Sequence, residues 1–274
     1  MAEPLLAADE PGPAIVRAGS PDCRFVLVAD HGGNAIPRGL GDLGLGEADR
    51  ARHIAWDIGI AGVAEALAAR LRAPLIRQRY SRLVIDCNRD PARADAIPEV
   101  SDGSAVAGNA ALVSGQRAAR IAAIHAPYHA AIGEALSGQR EPPILIALHS
   151  FTPAMNGVAR AWHAGVLHDR GDTRFSNAVL AGLRTRLDAP VGDNEPYAMD
   201  GIDYTVPHHC YGAGRPYAEL ELRQDLIAHP AGQEHWAELL AEVLTGSLSN
   251  IRSPELVEGR ALGQRWARAS TSSA

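Results

Sequence analysis

The sequence predicts an α/β layered fold, and three observations carry that prediction. Short, β-branched-rich apolar runs bounded by turn residues recur along the chain, as buried strands do. Amphipathic stretches of helical period lie between them, the alternation that packs helices onto a sheet. Two of the apolar runs, 25–29 and 144–148, lead directly into a histidine, His31 and His149. In open α/β sheets, ligands bind just beyond the carboxyl ends of strands, so both imidazoles fall where such a fold places its chemistry.

The elements follow in chain order. Residues 1–22, rich in Pro, Gly and acid, read as a loose lead-in. After the strand ending at His31, Pro37, Gly39, Gly41, Gly44 and Gly46 mark a long loop. Residues 49–72 read as a helix, with Ile60, Val63, Leu67 and Leu71 on one stripe. Pro74 stops it, and 75–76 and 83–85 read as the next two strands. Residues 90–110 read as a polar excursion over the active face. A helix over 116–136 must kink or divide at Pro127. The strand ending at His149, a strand within 158–167 and a helix over 177–187 come next. A Pro-, Gly- and Asp-rich connection over 190–214 has the length of a functional loop. The alternating segment Tyr217 to Arg223 reads as a strand, and 233–244 as a closing helix. Residues 1–246 thus form one domain, and 247–274, rich in Ser and Arg with little periodicity, read as a disordered tail.

Bulk properties narrow the class. A chain of 274 residues with 46% hydrophobic residues can bury a large core, and with 5% aromatics that core is aliphatic. The formal net charge of −6 argues against nonspecific nucleic-acid binding, which needs clustered Lys and Arg. The amino-terminal residues lack the basic start and long apolar core of a secretory leader, and no run approaches the roughly 18 apolar residues of a membrane span. Cys23, Cys87 and Cys210 are odd in number and widely spaced. The expectation is a reducing cytoplasm, with no nucleic-acid or membrane partner.

His31 and His149 carry the chemical signal, because imidazole is both a zinc ligand and a proton shuttle. A catalytic zinc takes three protein ligands. Asp57, four residues after His53 on the predicted helix and just before Gly59, completes a His–carboxylate–His set. Arg82, Asn88 and Arg89 flank the apolar stretch 83–85 and suit an anionic substrate, or else pair with Asp86 or Asp90. Glu219 and Glu221 share one face of their strand, where a carboxylate can serve as a general base. Gly39-Leu40-Gly41-Asp42-Leu43-Gly44 matches a dinucleotide-binding pattern, but it neither follows a strand at once nor opens a helix. His125 and His129 read as helix surface, with His129 able to face the site. His208-His209-Cys210 reads as an exposed loop pair beside a thiol that could act as a nucleophile.

Four blocks in this order resemble the N-formylglutamate amidohydrolase family: Ala29 to Pro37, Tyr80 to Arg89, Leu148 to Pro153, and Glu219 to Ile227. That family is similar in fold to zinc carboxypeptidases and aspartoacylase-like deacylases. The resemblance implies a three-layer fold with a mixed, mostly parallel sheet and helices on both faces. It implies His31 and His149 as ligands of Zn2+ or another divalent metal, Asn88 and Arg89 with Arg82 as the carboxylate clamp, and Glu221 as the base. Asn34 stands where the carboxypeptidases carry a ligand Glu, so Asp57 is the substitute third ligand. The implied substrate is N-formyl-L-glutamate or a related small anionic N-acyl amino acid. A deacylase or peptidase of other acyl specificity and a non-catalytic metabolite-binding paralogue remain as alternatives.

Overall fold

A computed structural model describes residues 4–250; residues 251–274, most of the segment expected as a tail, lie outside the described residues. Seven strands form the central sheet: β1 Ala14–Arg17, β2 Phe25–Ala29, β3 Leu75–Gln78, β4 Ile144–Phe151, β5 Ala164–Leu167, β6 Val191–Asp193 and β7 Tyr217–Arg223. Their spatial order is β1-β3-β2-β4-β7-β5-β6. The β3–β2, β2–β4, β4–β7 and β5–β6 pairs are parallel, whereas β1–β3 and β7–β5 are antiparallel. Strand β1 comes from the segment read as a loose lead-in and guards the edge of β3.

Helices α1 Ile60–Leu71, α2 Ser114–Arg120, α3 Ala126–Ser137, α4 Arg174–Arg186 and α5 Pro230–Ser247 complete three layers. Alternate strand residues face opposite sides, and both sides are buried. Leu27, Ile146, Leu148, Leu220 and Leu222 pack with Leu67 of α1, Val179 of α4 and Trp236 and Leu240 of α5. Val26, Val28, Leu145, Ala147 and Tyr217 pack on the other side with Tyr128 and Ile132 of α3 and with Leu83 to Ile85. The sheet is therefore read from uninterrupted apolar runs, as expected where helices cover both faces.

Three local expectations are corrected, and the expected break at Pro127 is found. Residues 83–85 are not a strand; they make turns that push three buried aliphatic side chains into the core. Apolarity there reflects burial, which a turn can satisfy as well as a strand. The helix read over 49–72 begins only at Ile60, after a one-turn helix at Glu47–Arg50 and a stretch of turns. The strand within 158–167 is confined to β5; Val158 and Ala159 instead form a small hairpin with Ala154 and Met155. Pro127 falls in the first turn of α3, just after a π-helical turn at Ile121–His125. The wide turn takes up the backbone that a proline cannot hydrogen-bond. Gly39 to Gly44 form a short 3-10 turn and loop, with Gly41 and Gly44 at positive φ. No helix among the described residues is long and apolar enough to cross a membrane.

Candidate active site

The carboxyl ends of β2, β4 and β7 open onto a cavity of about 470 Å³, whose lining includes His31, Asp57, Arg82, Asn88, Arg89, His149 and Glu221. That size suits a small metabolite. In-register pairing of β7 with β4 sets Glu221 beside His149. Asp57 reaches the same place from a turn, its N–H donating to the His31 carbonyl at 3.0 Å. Gly59, at φ 84, makes that turn possible, since a Cβ there would sit 2.2 Å from the Ile227 carbonyl oxygen.

Donor atoms of His31, Asp57 and His149 all lie within 4.8 Å of one another, and all three residues are buried. His31 Nδ1 and His149 Nδ1 approach Asp57 Oδ2 at 3.5 and 3.1 Å. Their far nitrogens face further carboxylates: His31 Nε2 lies 2.8 Å from Asp86 Oδ1, and His149 Nε2 lies 3.4 Å from Asp30 Oδ2. A carboxylate behind a histidine fixes the tautomer that leaves the inward nitrogen free to bind a cation. Asp86 is itself held by Arg82 Nε and Nη2 at 3.0 and 2.6 Å and by the Asn88 N–H at 2.9 Å.

Charge at this centre is unbalanced. Burial would lower the titration of His149, but the neighbouring carboxylates of Asp30 and Asp57 outweigh it and hold the imidazole well above its usual range. For His31, burial and Arg82 push down, and Asp86 and Asp57 reverse the sign to a net rise. Burial raises Asp57, yet the two histidines bring it below the ordinary carboxylate range. Three carboxylates around two imidazoles demand positive charge, from protons or from a cation. His31 Nδ1 is buried and has no hydrogen-bond partner among the described residues. This donor set, two imidazoles and a carboxylate, fits zinc or a similar divalent metal. Asn34 stands apart, donating to the Arg50 carbonyl at 2.6 Å.

Glu221 Oε2 is buried and has no partner among the described residues. Burial, opposed by His149 and reinforced by Asp57, pushes its carboxyl up to about 7. A carboxylate poised near neutrality is matched to proton transfer. Glu219, two residues back on the same face, also has an unpartnered Oε2 and lines the cavity. Burial first, then Asp203, raises it well above the carboxylate range.

Absence of a strand at 83–85 brings Arg82, Asn88 and Arg89 to one cavity wall. Arg82 is committed to Asp86, the pairing that the sequence left open, and lies 3.7 Å from Asp57. Asn88 donates to Asp203 Oδ1 at 3.2 Å and accepts from the N–H groups of Tyr204 and Thr205 at 3.0 and 2.9 Å. Arg89 Nη1 reaches the same Asp203 oxygen at 3.5 Å. Asp30, Asp86 and Asp203 thus emerge as site residues that sequence reasoning did not assign. Only the Asp30-His31 and Arg82-to-Asp86 spacings hinted at the first two.

His125, His129 and Cys210 are not among the residues that line this cavity. His125 and His129 are buried rather than on the helix surface: His129 Nε2 meets the Cys87 carbonyl at 2.9 Å and its Nδ1 meets His209 Nε2 at 3.1 Å. Cys210 is buried, and that burial lifts its thiol to about 12, which removes it as a nucleophile. His53 lines the cavity rim, with Nε2 3.6 Å from Asp102 Oδ2.

The fold is shared with known proteins. The family model of N-formylglutamate amidohydrolase matches residues 23–228. A gene product of Agrobacterium tumefaciens is 33% identical, with a TM-score of 0.85 over 91% of this chain and 100% of its own. An N-formylglutamate amidohydrolase from Ralstonia eutropha is 19% identical, with a TM-score of 0.62 over 87% of this chain and 98% of its own, and shares the fold. No curated protein matches the chain.

Proposed function

The chain belongs to the N-formylglutamate amidohydrolase family, and from the geometry of its cavity we propose that it hydrolyses the amide of N-formyl-L-glutamate or a related N-acyl amino acid with the aid of a divalent metal, zinc in the first instance. One observation carries the reading: the buried His31–Asp57–His149 donor group and the unpartnered Glu221 carboxyl face the same cavity. His31, Asp57 and His149 would hold the metal, with Asp86 and Asp30 orienting the two imidazoles. When bound, the metal supplies Lewis acidity at the scissile carbonyl.

The chain's own groups do the rest. Glu221 Oε2 takes a proton from the attacking water as the new C–O bond forms. It returns that proton to the amide nitrogen as the C–N bond breaks, releasing the acyl group as a carboxylate and the free amino acid. Arg82, anchored by Asp86, adds positive charge near the developing oxyanion. Arg89, oriented next to Asn88, binds a substrate carboxylate and so positions the amide.

The test is metal analysis of the purified protein together with product release from a panel of N-formyl and N-acetyl amino acids. Stoichiometric metal with formate release from N-formyl-L-glutamate is expected. Absence of both metal binding and turnover would sink the reading, and turnover of N-acetyl substrates alone would change the acyl group.

A further inference from the structure

The clamp that is read as carboxylate-binding already holds a carboxylate of this chain. Asp203 Oδ1 accepts from Asn88 Nδ2 at 3.2 Å and from Arg89 Nη1 at 3.5 Å, while its Oδ2 accepts from the Asp200 N–H at 3.4 Å. Asp203 lines the same cavity as Glu221 and His149. Its side chain is 12% exposed and that of Arg89 is 18% exposed, so the pair is shielded enough from solvent to matter and open enough to be reached.

We propose that Asp203 is a built-in stand-in for the substrate's carboxylate and thereby sets the affinity threshold that a ligand at Arg89 must pass. It occupies the Arg89 end of the clamp in the ligand-free protein, and a ligand gains that position only by bringing a carboxylate of its own. This rests on the reading of Asn88 and Arg89 as substrate-binding. The physical argument is one of competition. Arg89 has no nearer acid within the cavity, since Asp95 lies 4.0 Å from its Nε. A ligand carboxylate that takes Arg89 replaces one ion pair by another, and the exchange is nearly balanced. An uncharged side chain would have to separate Asp203 from Arg89 and give nothing back, which is unfavourable in a half-buried site. Asp203 thus raises the cost of entry for every ligand alike, and only a ligand carboxylate recovers that cost at Arg89.

The loop is built for a side-chain exchange of this kind. Asn88 Oδ1 accepts from both the Tyr204 and Thr205 N–H groups, and Ile202 donates its N–H to Asp200 Oδ1 at 2.8 Å. Those bonds pin the backbone on both sides of Asp203, so its carboxyl group can leave Arg89 while the loop stays in place.

Calorimetric binding of glutarate, with glutaramide as its uncharged counterpart, tests the idea on the metal-loaded protein. Asp203→Asn keeps the size and hydrogen-bonding capacity of the side chain and removes its charge. It should bind glutarate about tenfold more tightly than the wild type, and glutaramide more tightly by a similar factor. Adding Arg89→Ala to Asp203→Asn should abolish the gain. Unchanged or weaker glutarate binding by Asp203→Asn, with Arg89→Ala still weakening the wild type, overturns the role of Asp203 alone. Glutarate binding that ignores Arg89→Ala in both backgrounds overturns the clamp itself, and the role of Asp203 with it.

Discussion

The metal-type centre and the carboxylate clamp lie in one cavity yet treat their polar atoms in opposite ways. At the centre, the inward nitrogen of His31 and the outer oxygen of Glu221 are buried without partners. At the clamp, Arg82 is spent on Asp86, and Asn88 and Arg89 are spent on the 203–205 loop. Buried groups without partners are costly, so their persistence points to a ligand that arrives from outside. Groups that are already paired can bind only by exchange. The centre should therefore respond to substitution by losing its ligand outright, whereas the clamp should respond by a graded change of affinity.

The largest effects should come from the centre. His31→Ala, His149→Ala and Asp57→Ala should each remove stoichiometric metal and lower kcat/KM by about a thousandfold or more. Metal content and formate release measured on the same samples check this. Full metal retention in all three would break the comparison at its first term. Glu221→Gln should keep its metal and lose about 10²- to 10⁴-fold in kcat, the usual range for a general base. Asp86→Asn and Asp30→Asn touch the centre only through the histidines. They should weaken metal binding by about 10- to 100-fold, as read by competition with a chelator. At the clamp, Arg89→Ala should act mainly on KM for N-formyl-L-glutamate, raising it about tenfold while kcat changes little. A collapse of kcat instead would place Arg89 at the reacting atoms rather than at a remote carboxylate.

The same contrast explains what could be read from the sequence. His31 and His149 were legible because both follow apolar strands, and the carboxyl ends of strands in such sheets converge. Asp57 was legible only as the answer to a need for a third ligand. The helix proposed to carry it does not exist there, and a turn allowed by Gly59 delivers it instead. Arg82 and Arg89 flank 83–85, whose composition is that of a strand; burial of Leu83, Val84 and Ile85 explains that composition without one. Asp203 could not be found at all. It meets Asn88 across 115 positions, from a loop rich in Pro, Gly and Asp in which no pattern singles out one acid. The layered fold was plain from its strand runs, but a lone edge strand such as β1, half exposed and four residues long, carries too little pattern to stand out from a lead-in.

The smallest predicted effect concerns stability, and its sign follows from Glu221. Its carboxyl titrates at about 7 in the folded protein, against an ordinary 4.5, mainly because burial disfavours the charged form. The folded state therefore holds this proton more tightly than the unfolded chain. Below about pH 4.5 both states are protonated and nothing is lost. As pH rises from there through 7, the unfolded chain releases the proton first, and stability falls until the folded group has ionised too. Glu221→Gln removes that loss, since an amide has no charge to bury. The metal-free variant should thus match the wild type in thermal unfolding near pH 4.5 and exceed it by about 1–3 kcal/mol at pH 8. Saturating metal should shrink the difference, because a cation beside His149 and Asp57 favours the Glu221 carboxylate that burial alone opposes. A Glu221→Gln protein that was no more stable at pH 8 than at pH 4.5 would mean that the carboxyl is solvated or paired, and would move it from the side of the open centre to that of the already satisfied clamp.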